Sequence, residues 1–581
     1  MRRGVGIILL VFLMAEASRS QDLSNLSAAD PVNITGTISV TQIGYGAIGI
    51  DSRRDAYSFF GSGGLVFNFY GWTVPFSFSY SNQEGAFSQP FNQYALHPSF
   101  KNYTGHFGYA SASYSPYTLS NHIFLGAGVE ASYEKWTVKS FYGRLREEVE
   151  PTPEAVENAI YRRMGYGAQA VFNQNGTVID FSIIRGKDDE NSISFDEVDT
   201  VTVTPEENVA FSISAQRHFF KKLAVSITYS LSALTEDTQF GHQEVSSYKL
   251  YNHLGSFFTR NNSTSFFDAY KSSVNYTGTG FTIGLGYEYV DPGYTSHGAY
   301  YFVNDFRNIT INASKVLMGG KINTSGSIGI QRDNLNDEKI STMRRVVGDL
   351  SLVYTPHSRL NITSTYSTFQ TFTNIRSQFE NINELTSFDN LDTLDYRQVS
   401  QSFGNRVNYL LSSSETRTQS LGMNATIQTA RDEQGEEEQP TGNNFYLFSG
   451  NYTLGLLPQK INASLSFNYN RNTTLNLKSE TLGPTLSFNK ALSDNKLNFS
   501  GSASWNQSRS NGTAQGSISS LRSALRYLLK EKHNFNLGVV IVHRENPATE
   551  TTDASGFTEF TTTIGYTYSF GGTIIKNIKN R

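Results

Sequence analysis

Between Asn208 and Ala233, large apolar and small or polar residues alternate with a period of two. Val209, Phe211, Ile213 and Ala215 alternate with Ala210, Ser212, Ser214 and Gln216; after Phe219 to Lys222, Leu223, Val225, Ile227, Tyr229 and Leu231 alternate with Ala224, Ser226, Thr228, Ser230 and Ser232. Successive strand side chains point to opposite faces, so this stretch predicts a hairpin with one apolar and one uncharged polar face. The pattern returns in Phe281, Ile283, Leu285, Tyr287 and Tyr289 and in Ile461, Ala463, Leu465, Phe467 and Tyr469. It closes the chain in Gly556 to Phe570, where Phe560, Ile564, Tyr566, Tyr568 and Phe570 share a face and the aromatics crowd toward the C-terminal end.

Extended along the chain, starting with Thr37 to Ile43 and Tyr57 to Phe69, the pattern predicts roughly 24–26 strands of about 10 to 15 residues. Connections alternate between tight (Ser115 to Asn121, Phe219 to Leu223, Val316 to Lys321, Thr355 to Leu360, Leu456 to Lys460, Leu492 to Lys496, Lys530 to Asn534) and long (Gln83 to Asn102, Glu147 to Ala159, Lys187 to Glu206, Glu236 to Lys271, Thr373 to Arg397, Arg431 to Asn443, Glu545 to Gly556). Several long ones are acidic and several tight ones carry lysine, so the two sets are expected on opposite sides of a membrane. Pro151 and Pro153 fit the start of a short helix in Glu147 to Arg163.

The N-terminus reads as a secretory signal: Arg2 and Arg3, an apolar run from Val5 to Met14, then small residues that place cleavage after Ala17 or Ser20. No later apolar run approaches the ~18 residues of a spanning helix. An exported chain of this patterning is expected to cross lipid as a closed barrel, because only helices and closed barrels satisfy their backbones there. The expected division is a signal peptide at 1–20, a short periplasmic leader at 21–33, an all-β, antiparallel, up-and-down transmembrane barrel at 34–570 with short periplasmic turns and long extracellular loops, and a basic periplasmic tail at 571–581. No plug domain is expected ahead of the barrel.

Composition supports this reading. Of 581 residues only 17% are charged, with Gly 48, Tyr 33 and Phe 41, and there is no cysteine to form a disulfide or thiolate site. A net charge of -4 gives no electrostatic basis for a nucleic-acid partner. The inward face is expected to be Ser, Thr, Asn, Gln and Gly with few charges, unlike the rings of like charge in a selective ion pore.

Candidate chemistry is sparse. Gly44, Gly46 and Gly49 match a dinucleotide fingerprint in spacing, but no helix pattern follows to meet a pyrophosphate. No nucleophile elbow, phosphate loop or zinc helix is present, so the chain is not expected to be an enzyme or to carry a cofactor. His543 and Glu545 would share a strand face and read as a polar strand end. Asp389, Asp392 and Asp395 are weak candidates for a divalent cation.

The signal with its Gln21-Asp22 start, the missing cysteine, the aromatic-rich hairpins and the terminal strand together resemble the outer-membrane β-barrel proteins of Bacteroidota. Asp199-Thr200-Val201 and Asp392-Thr393-Leu394 resemble the O-glycosylation acceptor of that group. The resemblance implies a location in the Gram-negative outer membrane, contact with its lipid, and recognition of Phe560, Ile564, Tyr566, Tyr568 and Phe570 by the barrel-assembly machinery. Some 24 strands close into a pore roughly 50 Å across. The expected function is therefore a passive transport or export channel, or a component of a secretion system, with the lumen filled by loops or by a partner or secreted protein; a non-transporting scaffold or surface-binding barrel is the alternative.

Overall fold

A computed structural model describes residues 32–575 apart from 83–91, 152–158, 195–202, 241–256, 300–302, 339–343, 369–372, 375–394, 397–400, 431–432, 435–436, 439–442, 475–476, 494 and 547–554. The signal peptide, most of the leader, the tail beyond 575, Asp389, Asp392 and both acceptor triplets lie outside the described residues.

Twenty-six antiparallel strands close on themselves into one barrel. The first eight are β1 (Val32–Ile48), β2 (Tyr57–Phe69), β3 (Trp72–Ser81), β4 (Gln93–Leu96 with Ser99–Phe100), β5 (Tyr103–Ala112), β6 (His122–Tyr133), β7 (Trp136–Arg146) and β8 (Arg163–Gln174). Next come β9 (Thr177–Asp188), β10 (Glu207–Phe219), β11 (Leu223–Thr235), β12 (Thr264–Gly278), β13 (Phe281–Val290), β14 (Phe306–Leu317), β15 (Ile322–Arg332), β16 (Arg344–His357) and β17 (Leu360–Ser367). The last nine are β18 (Gln401–Ser413), β19 (Arg417–Ala430), β20 (Asn443–Leu456), β21 (Ile461–Thr474), β22 (Leu477–Leu492), β23 (Leu497–Ser510), β24 (Thr513–Leu529), β25 (His533–Asn546) and β26 (Ser555–Ile575).

The terminal strand closes the barrel. β26 pairs with β1 in a register that sets Thr37 opposite Ser569 and Ile43 opposite Thr563. The strand runs past the expected boundary at Phe570, with Thr35 opposite Gly571 and Val32 opposite Ile575. The closed ladder leaves no sheet edge, as a wall in lipid requires. Alternation sorts the side chains: Ile283 and Leu285 of β13 are half exposed outward, while Ser212, Ser230 and Ser232 are buried inward. The outward row is the lipid-facing belt.

Strand parity corrects two expectations about the connections. Ser115 to Asn121, read as a tight turn, joins β5 to β6 and therefore lies at the same end as the long loops. At that end β23 and β24 are joined by Asn511 and Gly512 alone, with φ of 48° and 84°, the two left-handed positions that a two-residue hairpin turn demands. The long connection expected over Gln83 to Asn102 contains β4, broken at His97 and Pro98. Of the helix expected in Glu147 to Arg163, residues 152–158 lie outside the described set; around it Val149 bridges Ile160.

Candidate functional site

Two segments from the loop end fold into the lumen against the inner faces of β5 to β14. The first, 113–121, turns back on itself through Thr118 N–H to Ser115 O (3.1 Å) and Tyr114 N–H to Leu119 O (2.8 Å). Leu119 at its tip is fully buried and packs on Ala110, Phe124, Phe141, Leu145, Ile184 and Ala210. The rings of Phe124 and Phe141 stack with centroids 4.4 Å apart. This corrects the expected inward face: on these strands it is partly apolar, and Leu119 covers it. Two buried hydroxyl pairs, Ser115 with Ser212 at 3.0 Å and Thr118 with Ser182 at 3.1 Å, fix the segment beside that core.

The second segment, 291–299 with 303–305, lies alongside the first. Tyr294 is fully buried against Tyr117, Ala269 and Val290, flanked by Phe267 and Phe306, and its hydroxyl donates to Tyr117 O at 2.8 Å. Ser120 N–H donates to Gly298 O at 2.9 Å. A Cβ at Gly298 would sit 2.4 Å from Thr118 O, so only glycine allows this approach. Asn208 of β10 clasps the segment from the wall, donating to Thr295 O at 3.2 Å and accepting from His297 N–H at 3.0 Å.

An ionic cluster anchors the pair. Arg163 holds Asp188 through two bonds of 2.6 and 2.8 Å and reaches Glu206 at 2.7 Å. Arg146 adds a longer contact to Asp188 at 3.3 Å. His297 places Nε2 3.2 Å from the Glu206 carboxylate and Nδ1 3.2 Å from Gly186 O. Arg163 and Asp188 are almost wholly buried, where an ion pair persists only if its geometry is good and its remaining hydrogen-bonding capacity is used. Burial alone would raise the Glu206 pKa, but the bond from His297 and the Arg163 guanidinium reverse it and take the carboxyl down to about 2. Burial pushes His297 below its ordinary value, with Arg163 acting the same way and Glu206 opposing. Burial, then the Glu288 carboxylate it bonds, pushes the Tyr117 phenol upward.

The opposite wall differs. The inner face of β18 to β25 is rich in Asn, Ser and Thr, with Phe445, Leu447 and Val540 buried in it. On β21 to β24, Asn468 Nδ2, Thr485 Oγ1, Ser504 Oγ, Asn506 Oδ1 and Ser520 Oγ are buried with no hydrogen-bond partner among the protein's own groups.

The residues expected to carry function are scattered. Phe560, Ile564, Tyr566, Tyr568 and Phe570 all lie on the outer face of β26. Tyr566 packs on Phe535 with centroids 4.9 Å apart and bonds His533 Nδ1 at 2.8 Å, and Tyr568 stacks on Phe570 at 5.5 Å. His543 and Glu545 share the outer face of β25 at 3.6 Å, and His543 Nδ1 bonds Thr558 Oγ1 at 2.8 Å. Gly44 and Gly46 lie in β1, and a loop and β2 follow where a nucleotide fold needs a helix. The backbone of Asp395 pairs with Asn374; the other two aspartates of that trio lie outside the described residues. Among the described residues, no group of three or more His, Asp or Glu side chains is arranged around a common metal position. Sequence reasoning missed the Glu206–His297 contact, which joins residues 91 positions apart and leaves no local motif.

No known family profile matches the chain, and no curated protein matches it. Among solved structures it is similar to the P pilus usher PapC translocation pore, with TM-score 0.37, 8% identity and coverage of 93% of this chain and 100% of that one. It is also similar to the ferric citrate transporter FecA, with TM-score 0.38, 8% identity and coverage of 92% and 78%. The OccAB2 structure from Acinetobacter baumannii gives 0.28, 10%, 63% and 93%. At these scores no family is assigned, and the functional reading rests on the chain's own geometry.

Proposed function

We propose that this chain is an outer-membrane barrel of Gram-negative type that passes solute or polymer passively through a lumen narrowed on one side. The observation that carries this is the unequal lining: segments 113–121 and 291–299 fill the β5 to β14 side with a packed core, while the β18 to β25 side presents a mainly polar face with Phe445, Leu447 and Val540 buried in it. A transport role accounts for both, since the core narrows the pore and the polar face lines what remains. Export by the signal at 1–20, assembly through the outer-face aromatics of β26, contact with a secreted or lumen-filling partner, and the Bacteroidota affinity belong to the same reading.

Conductance tests it. Purified protein in a planar bilayer should give steps well below the several nanosiemens of an unobstructed pore roughly 50 Å wide, and replacing 293–298 by a short Gly/Ser linker should enlarge them. A stable pore of several nanosiemens from the intact chain would overturn the narrowing. No conductance together with no liposome swelling would overturn the channel and favour a scaffold.

A further inference from the structure

The inner face of β21 to β24 carries groups the barrel does not use. Asn468, Thr485, Ser504, Asn506 and Ser520 are each at least nine-tenths buried, yet each keeps a side-chain N or O atom with no protein partner. They form one patch by register: Ser504 lies opposite Thr485 on one side and Ser520 on the other, and Asn468 lies opposite Gly483, two positions from Thr485 on the same face. Gly483 leaves the room that Asn506 Oδ1 occupies, because a Cβ there would sit 2.6 Å from it. Four neighbouring strands span about 14 Å.

Leaving such atoms unpaired costs about 1–3 kcal/mol each. The folded chain could lose that cost through apolar side chains of the same size, so the patch carries it for something other than the fold. The free groups are chemically specific. Asn468 offers an N–H, Asn506 a carbonyl oxygen, and the three hydroxyls can each donate or accept. These five are uncharged; Arg522 of β24, two positions from Ser520 on the same face, sets one positive charge beside them, with Nε and Nη2 buried and contacts of its own. A ligand hydroxyl also both donates and accepts, so it can meet every one of these groups, whereas a peptide backbone presents fixed donors and acceptors in a fixed order.

We propose that this patch is a subsite for a neutral, hydroxyl-rich chain, that is, an uncharged oligosaccharide or polysaccharide, within the lumen. The proposal rests on the channel reading for its purpose but not for its test. Binding is measured by calorimetry on the purified full-length barrel in detergent with maltohexaose, cellohexaose and N-acetylated chitohexaose. A neutral hexapeptide and hexagalacturonate serve as comparison ligands.

Saturable binding of at least one neutral hexasaccharide is expected, weakened at least about tenfold in Asn468→Leu/Asn506→Leu, the loss of roughly one to two hydrogen bonds. Thr485→Val, which keeps the shape, serves as the second variant should the double one fail to fold, and should weaken binding about three- to tenfold. Because the lost groups are unpaired in the empty barrel, thermal stability should hold or rise, which a merely structural role would not produce. The proposal is overturned if no neutral hexasaccharide binds, if both variants bind as tightly as the parent, or if the peptide or the acidic sugar binds tighter. Liposome swelling with sugar binding lost would defeat this site and leave the channel standing; sugar binding without swelling would do the reverse.

Discussion

The two sides of the lumen solve the same problem in opposite ways. On β5 to β14 the inward face is half apolar, and the segments carrying Leu119 and Tyr294 cover it, so nearly every buried polar group there finds a partner in the protein: Ser212 with Ser115, Ser182 with Thr118, Asn208 with the 291–299 backbone. On β21 to β24 the face is mainly hydroxyl and amide, with Ile518 and Arg522 of β24 among them, the neighbouring connection at the loop end shrinks to Asn511 and Gly512, and buried polar groups including those of Asn468, Thr485, Ser504, Asn506 and Ser520 go unpaired. A wall whose polar groups are satisfied internally is built to stay as it is. A wall left unsatisfied is built to receive something else. On the channel reading proposed above, asymmetry, more than strand number, sets what the lumen passes.

The sharpest way to break the comparison is through the ionic anchor. Asp188→Ala leaves the buried Arg163 guanidinium with Glu206 as its one strong carboxylate partner and should cost up to about 3–5 kcal/mol, seen as a fall in thermal unfolding temperature in detergent and as looser protease protection of 291–299. A fall no larger than that of a surface substitution would mean that the two segments are held by packing alone. Leu119→Ala comes next. It empties a site bounded by Phe124, Phe141 and Ile184 and should cost about 2–4 kcal/mol, toward the lower end if the segment settles inward. It should also widen the conductance distribution; unchanged stability would show that the lumenal core is not a core.

Much of this architecture is legible in the sequence, and the exceptions have physical causes. Period-two alternation over Val209 to Leu231 and Phe560 to Phe570 identifies the strands, their faces and the closing pair, because lipid imposes that period directly. Pro98 hides β4, since a residue without an N–H interrupts the ladder. The inward segments escape because Ser115 to Asn121 has the length of a turn and only the parity of the whole barrel says which end it occupies. One local signal was present: Ile123-Phe124-Leu125 and Ile183-Ile184 break alternation with consecutive apolar residues, which makes both faces apolar and asks for a cover on the inside. The Arg163, Asp188, Glu206 and His297 cluster comes from four separate stretches, and nothing in any one of them announces the others.

The smallest expected effect is the response of the filled side to pH. His297 faces Arg163, Asp188 and Glu206, with His122 also within electrostatic reach. Its folded value lies below the ordinary 6.5 because burial disfavours the charged ring, so a detached segment takes up a proton before the docked one does. Its contribution to docking is complete above 6.5 and is lost as pH falls. Glu206, held down from 4.5 to about 2 in the docked state, contributes fully above 4.5 and loses that contribution as pH falls toward about 2. Both groups thus loosen the segments on acidification, His297 first and Glu206 only below about 4.5. Conductance should drift upward between pH 6.5 and 4.5 and climb faster below. His297→Gln, which keeps one amide donor for Glu206, should flatten the upper part and leave the lower part in place. A variant that drifts like the parent above pH 4.5 would assign the response to another group and leave the anchor to Arg163 and Asp188 alone.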